Sequence, residues 1–171
     1  MNVIDAIKVR RSIRAYQDRQ VEEEKLLVVL EAGRLAPSAR NLQDWKFIIV
    51  RDKEKRQSLS VAAKGQPFVA QAPVVIAACG TETEYIMTCG QHTYPIDVAI
   101  AIDHMSLEAL EQGLGTCWKG TFHEDQVKEI LGVPNKIRVV VMLALGYPAE
   151  SPSARPRKRV EEIISYDGWQ D

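Results

Sequence analysis

Asp97-Val98-Ala99-Ile100-Ala101-Ile102-Asp103-His104-Met105-Ser106-Leu107-Glu108-Ala109-Leu110-Glu111-Gln112 reads as a helix with almost no polar face. Val98, Ala99, Ile100, Ala101, Ile102, Met105, Leu107, Ala109 and Leu110 cover nearly its whole circumference. A helix apolar all round is buried on every side. Asp97 is the expected N-cap and Gly113 the expected C′ residue. In a domain this small, one side of such a helix is expected to face a second copy of the chain.

Working outward, Val74-Val75-Ile76-Ala77-Ala78-Cys79 and Ile137 to Leu145, with its Val139-Val140-Val141 centre, read as buried strands, as does Phe47-Ile48-Ile49-Val50. Thr116-Cys117-Trp118 is a shorter extended segment. Between these lie helical patterns. Val3, Ile4 and Ile7 open the chain at helical spacing, and Lys53 to Ala63 is a charged amphipathic helix. Glu22-Glu23-Glu24 load the first turn of another, where carboxylates suit the macrodipole. Its Leu26, Leu27, Leu30 and Leu35 are expected to face the core, and Pro37 stops it. Thr121 and Glu124 have capping-box spacing before a helix ending near Gly132. The alternation predicts helices layered on a sheet and leaves strand direction open.

At 171 residues the chain is read as a single domain, 1–171, able to bury roughly 70% of its unfolded surface. It is 46% hydrophobic with a formal net charge of -1. No global field is available to hold nucleic acid or an anionic membrane, and no apolar run is long enough to span a bilayer. Three widely spaced cysteines, Cys79, Cys89 and Cys117, do not suggest a disulfide framework. With no signal-peptide pattern at the start, the expected compartment is the cytoplasm.

Positive charge is clustered instead. Arg10-Arg11-Ser12-Ile13-Arg14 follows the first helix, and Arg155-Pro156-Arg157-Lys158-Arg159 stands near the end. The first run can be a solvated helix end that complements the C-terminal dipole. It can equally clamp a phosphate, since guanidinium forks donate in pairs and Ser12 adds a hydroxyl; at most two of its three arginines reach one phosphate. The loop Pro37-Ser38-Ala39-Arg40-Asn41-Leu42-Gln43 is by itself an ordinary connection, yet its amides and hydroxyls suit the polar edge of a planar heterocycle. Gly113-Leu114-Gly115 follows a helix rather than opening one, so it is a C-cap and no dinucleotide fingerprint. Cys89-Gly90-Gln91-His92 has no second ligand pair, and no Gly-x-Ser-x-Gly elbow exists. No metal site and no catalytic side chain is therefore assigned. If the chain is an enzyme, a cofactor carries the chemistry.

Taken in order, these segments resemble the FMN-dependent nitroreductase family over essentially the full length, in a short form. The resemblance rests on Arg-Arg-Ser-x-Arg-x-Tyr at 10–16, Ala-Pro-Ser-x-x-Asn-x-Gln-x-Trp at 36–45 and Asp97 with its Ala-Ile-Ala-Ile helix. It continues through Gly113-Leu114-Gly115-Thr116-Cys117-Trp118-Lys119-Gly120, Gly146-Tyr147-Pro148 and Arg157-Lys158-Arg159-Val160-Glu161-Glu162. It implies an α+β three-layer sandwich with a mixed, mainly antiparallel sheet, assembled as an intertwined homodimer.

By the same resemblance, Arg10, Arg11, Ser12 and Arg14, joined by Arg155 and Arg157, would hold the FMN phosphate and ribityl end. Pro37, Ser38, Ala39 and Asn41 would come from the other protomer to the isoalloxazine. Gln66 would touch the pyrimidine edge, and Trp118, Lys119 and Gly120 would flank the reactive edge. The implied activity is two-electron ping-pong transfer from NADH or NADPH to a small-molecule acceptor such as a nitroaromatic or quinone. A flavin-storing or sensing protein without efficient turnover is the alternative. Lys119 departs from the apolar or acidic residue common there, and a cation near the ring would raise the flavin potential.

Overall fold

The computed structural model describes residues 1–170. Its sheet has the order β1-β2-β4-β3, with β1 Trp45–Val50, β2 Val74–Gly80, β3 Gly115–Lys119 and β4 Arg138–Gly146. All three pairings are antiparallel. An isolated parallel bridge, Ser12 to Thr116, sets the basic run alongside the β3 edge and is the one parallel pairing among the described residues. The layered α+β expectation is therefore met.

Side chains of β2 and β4 alternate between two cores. Val75, Ala77, Met142 and Ala144 meet α3 (Lys53–Ala62), α4 (Pro67–Gln71) and α6 (Glu124–Leu131) through Leu59, Phe68, Val69 and Val127. Val74, Ile76, Val141, Leu143 and Leu145 meet α2 (Glu23–Arg34) and α5 (Tyr94–Glu111) through Leu26, Val29, Val98, Ile102 and Met105. Burial of each large aliphatic side chain contributes about 1.5–3 kcal/mol. Both faces of the sheet are covered, which is why the strands read as continuous apolar runs although they run antiparallel.

Helix ends follow local chemistry. Asn2 caps α1 (Val3–Val9) by accepting the Asp5 N–H at 3.0 Å, and Asp52 caps α3 through the Lys55 N–H at 2.8 Å. Gly113, with φ +74°, leaves α5 in the left-handed conformation expected of a C′ glycine. Gly115 is required for a different reason. A Cβ there would lie 2.6 Å from Cγ1 of Ile13, where the basic run crosses β3.

Three local expectations are corrected. Helix α5 begins at Tyr94 with Thr93 as N-cap, because Pro95 fits the first helical turn, and Asp97 sits inside that turn. His123, not Thr121, precedes α6; Glu124 instead accepts the Val139 N–H at 2.9 Å and pairs with Arg138 and Lys128. Leu27 and Leu35 point outward, 56% and 63% exposed, while Leu26 and Val29 take the core positions. Helix α5 is also open on one flank within a single chain: Ile96 is 42% exposed, and Ile100 and Leu107 are half-buried. Among the described residues no helix is long and apolar enough to cross a membrane.

Candidate functional site

The basic run leaves α1 and is stitched to the sheet edge. The Ile13 N–H donates to the Thr116 carbonyl at 2.9 Å, and the Arg14 N–H donates to the Glu150 carboxylate. Farther on, the Gln17 N–H reaches the Tyr147 carbonyl and the Ala149 N–H the Ala15 carbonyl, both at 2.9 Å. The segment is held from both sides, so its arginines project from a fixed backbone. Arg10, Arg11, Ser12 and Arg14 line a basin of about 260 Å³ whose other wall is Pro152, Arg155 and Arg157. The two basic clusters, 141 residues apart in sequence between Arg14 and Arg155, are thus one site.

Arg11 has a divided role. Its Nη1 donates to the carbonyls of Lys8 at 2.7 Å and Arg10 at 2.9 Å, so part of the guanidinium closes the C-terminus of α1. The helix-end reading therefore holds for Arg11, and the rest of its guanidinium still faces the basin. Five guanidiniums and one hydroxyl around a small concave basin match the donor demand of a phosphate monoester. Among the described residues that line the basin none is acidic.

Next to it, β3 carries Trp118 and Lys119 to its open end, with Gly120 exposed beyond. The Trp118 indole N–H donates to Ser106 Oγ at 2.8 Å, which ties the ring to α5. Burial, together with Lys64 and Arg14, pushes the Lys119 ammonium below its ordinary pKa, against the pull of Cys117. Gln66 is the half-buried N-cap of α4, and its carbonyl accepts the Ser60 hydroxyl at 2.8 Å. The His123 N–H donates to the Ala62 carbonyl at 2.9 Å, which fastens the segment after Gly120 to the end of α3.

Pro37, Ser38, Ala39 and Asn41 lie elsewhere. Their loop contains a 3₁₀ turn, Ala39–Asn41, and three non-glycine residues with positive φ: Arg40 (+53°), Asn41 (+58°) and Gln43 (+52°). Left-handed backbone costs about 1–2 kcal/mol per ordinary residue, less for Asn. The loop is strained, and hydrogen bonds offset the strain: the Ala39 N–H donates to Asp97 Oδ2 at 3.0 Å, which ties the loop to the body, and within the loop the Gln43 N–H donates to Ser38 Oγ at 2.9 Å.

Asp97 stands in the first turn of α5, whereas Leu110, in its last turn, shares a cavity with Arg10 and Arg11. Thirteen helical residues span about 20 Å. Within one chain the loop and the basic basin are therefore at opposite ends of α5. The structure brings Arg10, Arg11, Ser12, Arg14, Arg155 and Arg157 together, and does not bring Pro37, Ser38, Ala39 and Asn41 to them. Sequence reasoning missed Ser106, Thr116, Glu150 and Asp44. Each is a common residue type made significant only by a partner distant in sequence.

A basic basin beside a sheet edge, in an α+β sandwich, is an arrangement with the donors to take a small anion. Comparison with known proteins narrows it. The profile of the nitroreductase family matches residues 7–66 and 58–147. An NADH dehydrogenase/NAD(P)H nitroreductase of Methanothermobacter thermautotrophicus is 36% identical over 160 residues, covering 91% of this chain and 82% of that protein. An FMN reductase [NAD(P)H] of Bacillus subtilis is 30% identical, covering 94% of this chain and 72% of that one. The solved structure of an FMN-dependent nitroreductase from Clostridium difficile R20291 superposes with a TM-score of 0.86 at 32% identity, over 98% of this chain and all of that one. The chain belongs to the nitroreductase family.

Proposed function

We propose that two copies of this chain form a two-fold dimer with two FMN sites, and that it passes electrons from NADH or NADPH to nitroaromatics, quinones or similar small acceptors. The protein is an FMN-dependent NAD(P)H oxidoreductase. The observation that carries the dimeric site is the separation of its two halves along α5. A two-fold axis across the open flank of α5 sets the loop of one protomer beside the basin of the other. That flank is apolar. Ile96 is exposed and Ile100 and Leu107 are half-buried on α5, and Val3, Leu35, His104 and Leu107 line one shallow groove that Glu108 and Glu111 also border.

In this assembly Arg10, Ser12, Arg14, Arg155 and Arg157, with the uncommitted part of Arg11, hold the FMN phosphate and ribityl chain. Pro37, Ser38, Ala39 and Asn41 of the partner subunit face the isoalloxazine, Gln66 meets its pyrimidine edge, and Trp118, Lys119 and Gly120 border its reactive edge. FMN, when bound, supplies the two-electron chemistry by taking hydride from the nicotinamide and delivering it to the acceptor. The protein side chains bind, orient and polarise; no acid–base pair is assigned. Its three thiols are unpaired, which suits a reducing compartment, and we place it in the cytoplasm.

The testing experiment is the visible spectrum of the purified protein, with the released chromophore quantified, followed by NAD(P)H oxidation with a nitroaromatic or quinone added. About one FMN per chain with turnover supports the reading. Bound FMN without turnover supports a storage or sensing role. A colourless protein that does not take up added FMN overturns both.

A further inference from the structure

Asp44 follows the strained loop directly and is 3% exposed, as is Asp97 beneath it. Its Oδ2 accepts the Thr93 hydroxyl at 3.3 Å, while Oδ1, shut away from water, faces no donor among the described residues. Asp97 lies within hydrogen-bonding reach of Asp44 and already accepts the Ala39 N–H. Two ionised carboxylates in contact and out of water repel strongly, so one of them holds a proton. Burial first, and then the neighbouring Asp97, push the Asp44 carboxyl up, so the proton is assigned to Asp44, whose Oδ1 faces no other partner among the described residues. The nearest cation in sequence, Arg40, is turned away, its guanidinium 5.7 Å from the centre of the Tyr85 ring.

Both ends of the loop are thereby tied to the start of α5: Ala39 through Asp97, and Asp44 through Thr93. The backbone of Asp44 is fixed as well, its carbonyl accepting the Thr81 N–H at 2.8 Å. The bonds within the loop, Asn41 N–H to the Ser38 carbonyl and Leu42 N–H to the Ala39 carbonyl at 3.0 Å each, shape the turn but do not place it on the body.

We propose that Asp44 and Asp97 share one proton and act as a positioning clasp, holding the left-handed loop 38–43 in the conformation it presents to the flavin. The shared proton makes the clasp strong: the Asp97 carboxylate accepts both the Asp44 O–H and the Ala39 N–H, so the two carboxyls attract. The identity of what the loop faces rests on the proposed function; the clasp does not.

The test is amide hydrogen exchange at Ala39 and Gln43 in the full chain without FMN, paired with FMN titration of the same samples. Asp97→Ala is expected to lose about tenfold or more of the protection at Ala39, the loss of roughly one hydrogen bond. Asp44→Asn, whose amide N–H replaces the O–H, is expected to keep it. Ala39→Pro reads the same bond from the loop side, should Asp97→Ala not fold. Ser38, at φ −139° and ψ 157°, already has the backbone that precedes proline. There the Gln43 amide is expected to lose protection.

Unchanged protection in Asp97→Ala or Ala39→Pro overturns the clasp. Loss in Asp44→Asn as large as in Asp97→Ala overturns the shared proton. A clasp that opens with no weakening of FMN binding overturns its flavin-facing role. Failure of every sample, wild type included, to bind FMN refutes the proposed function and leaves the exchange result standing.

Discussion

Ser106 joins Trp118 to the long helix: its hydroxyl oxygen accepts the indole N–H at 2.8 Å and donates to the Ile102 carbonyl at 2.8 Å. Ser106 is 1% exposed, so this link is buried at one end while the indole is partly open to solvent. Ser106→Ala leaves the indole without its protein acceptor. A stability loss of about 1 kcal/mol is expected, the net worth of a typical hydrogen bond, measured by urea denaturation, together with a shift in tryptophan emission. An unchanged midpoint and spectrum would show that the link does not hold the ring.

Arg14 tests the basin. Its backbone is anchored to Glu150, so truncating the side chain removes charge without releasing the segment. Arg14→Ala is expected to weaken FMN binding by about 10- to 100-fold, the value of a charge-assisted hydrogen bond, and to leave riboflavin affinity nearly unchanged. Isothermal titration with both ligands separates the two effects. Equal losses for FMN and riboflavin would place Arg14 away from the phosphate.

Lys119 is a local source of positive charge at the end of β3, beside Lys64 and Arg14. A cation there stabilises an anionic reduced flavin more than the neutral oxidised ring. Lys119→Met is expected to lower the two-electron midpoint potential, by about 30 mV if the preference is tenfold. Dye-equilibration potentiometry at constant pH measures it. An unchanged potential would mean that the ammonium does not act on the ring.

Glu22 governs part of the acid response. The Tyr147 hydroxyl, donating at 2.6 Å, is the main cause that brings its carboxyl from the usual value near 4.5 down to about 2, with Arg19 assisting. A carboxylate depressed on folding contributes stability above its unfolded pKa, and that contribution is lost as pH falls through the folded value. Thermal stability of the wild type should therefore fall more steeply between pH 4.5 and 2 than that of Glu22→Gln. Parallel acid limbs would remove Glu22 from the account.

The open flank of α5 supplies the assembly prediction. Leu107→Glu puts a charge into the apolar face between α1, α2 and α5. The expected outcome is a monomer by sedimentation equilibrium at micromolar concentration, with FMN lost at the same time, because each site as proposed draws on both protomers. A folded monomer that still holds FMN would show a site complete within one chain.

Most of the elements were legible because their signals are local. Acidic first turns, Pro37, Gly113 and Gly132, and the apolar runs of β2 and β4 mark helices and strands through backbone chemistry a few residues wide. The arginine runs also marked the candidate site, since permanent charge in a cluster needs no partner to be noticed. Strand direction was not legible: β2 and β4 are covered on both faces, so apart from Arg138 at the start of β4 their side chains are apolar whichever way the neighbours run. Leu27 and Leu35 were misplaced because periodicity identifies an apolar stripe but not which part of it the same chain covers. The union of Arg10–Arg14 with Arg155 and Arg157, the separation of both from the 38–43 loop, and the burial of Asp44 were decided only in three dimensions. Each depends on contacts between segments dozens of residues apart, where burial and proximity, rather than residue type, set what a side chain does.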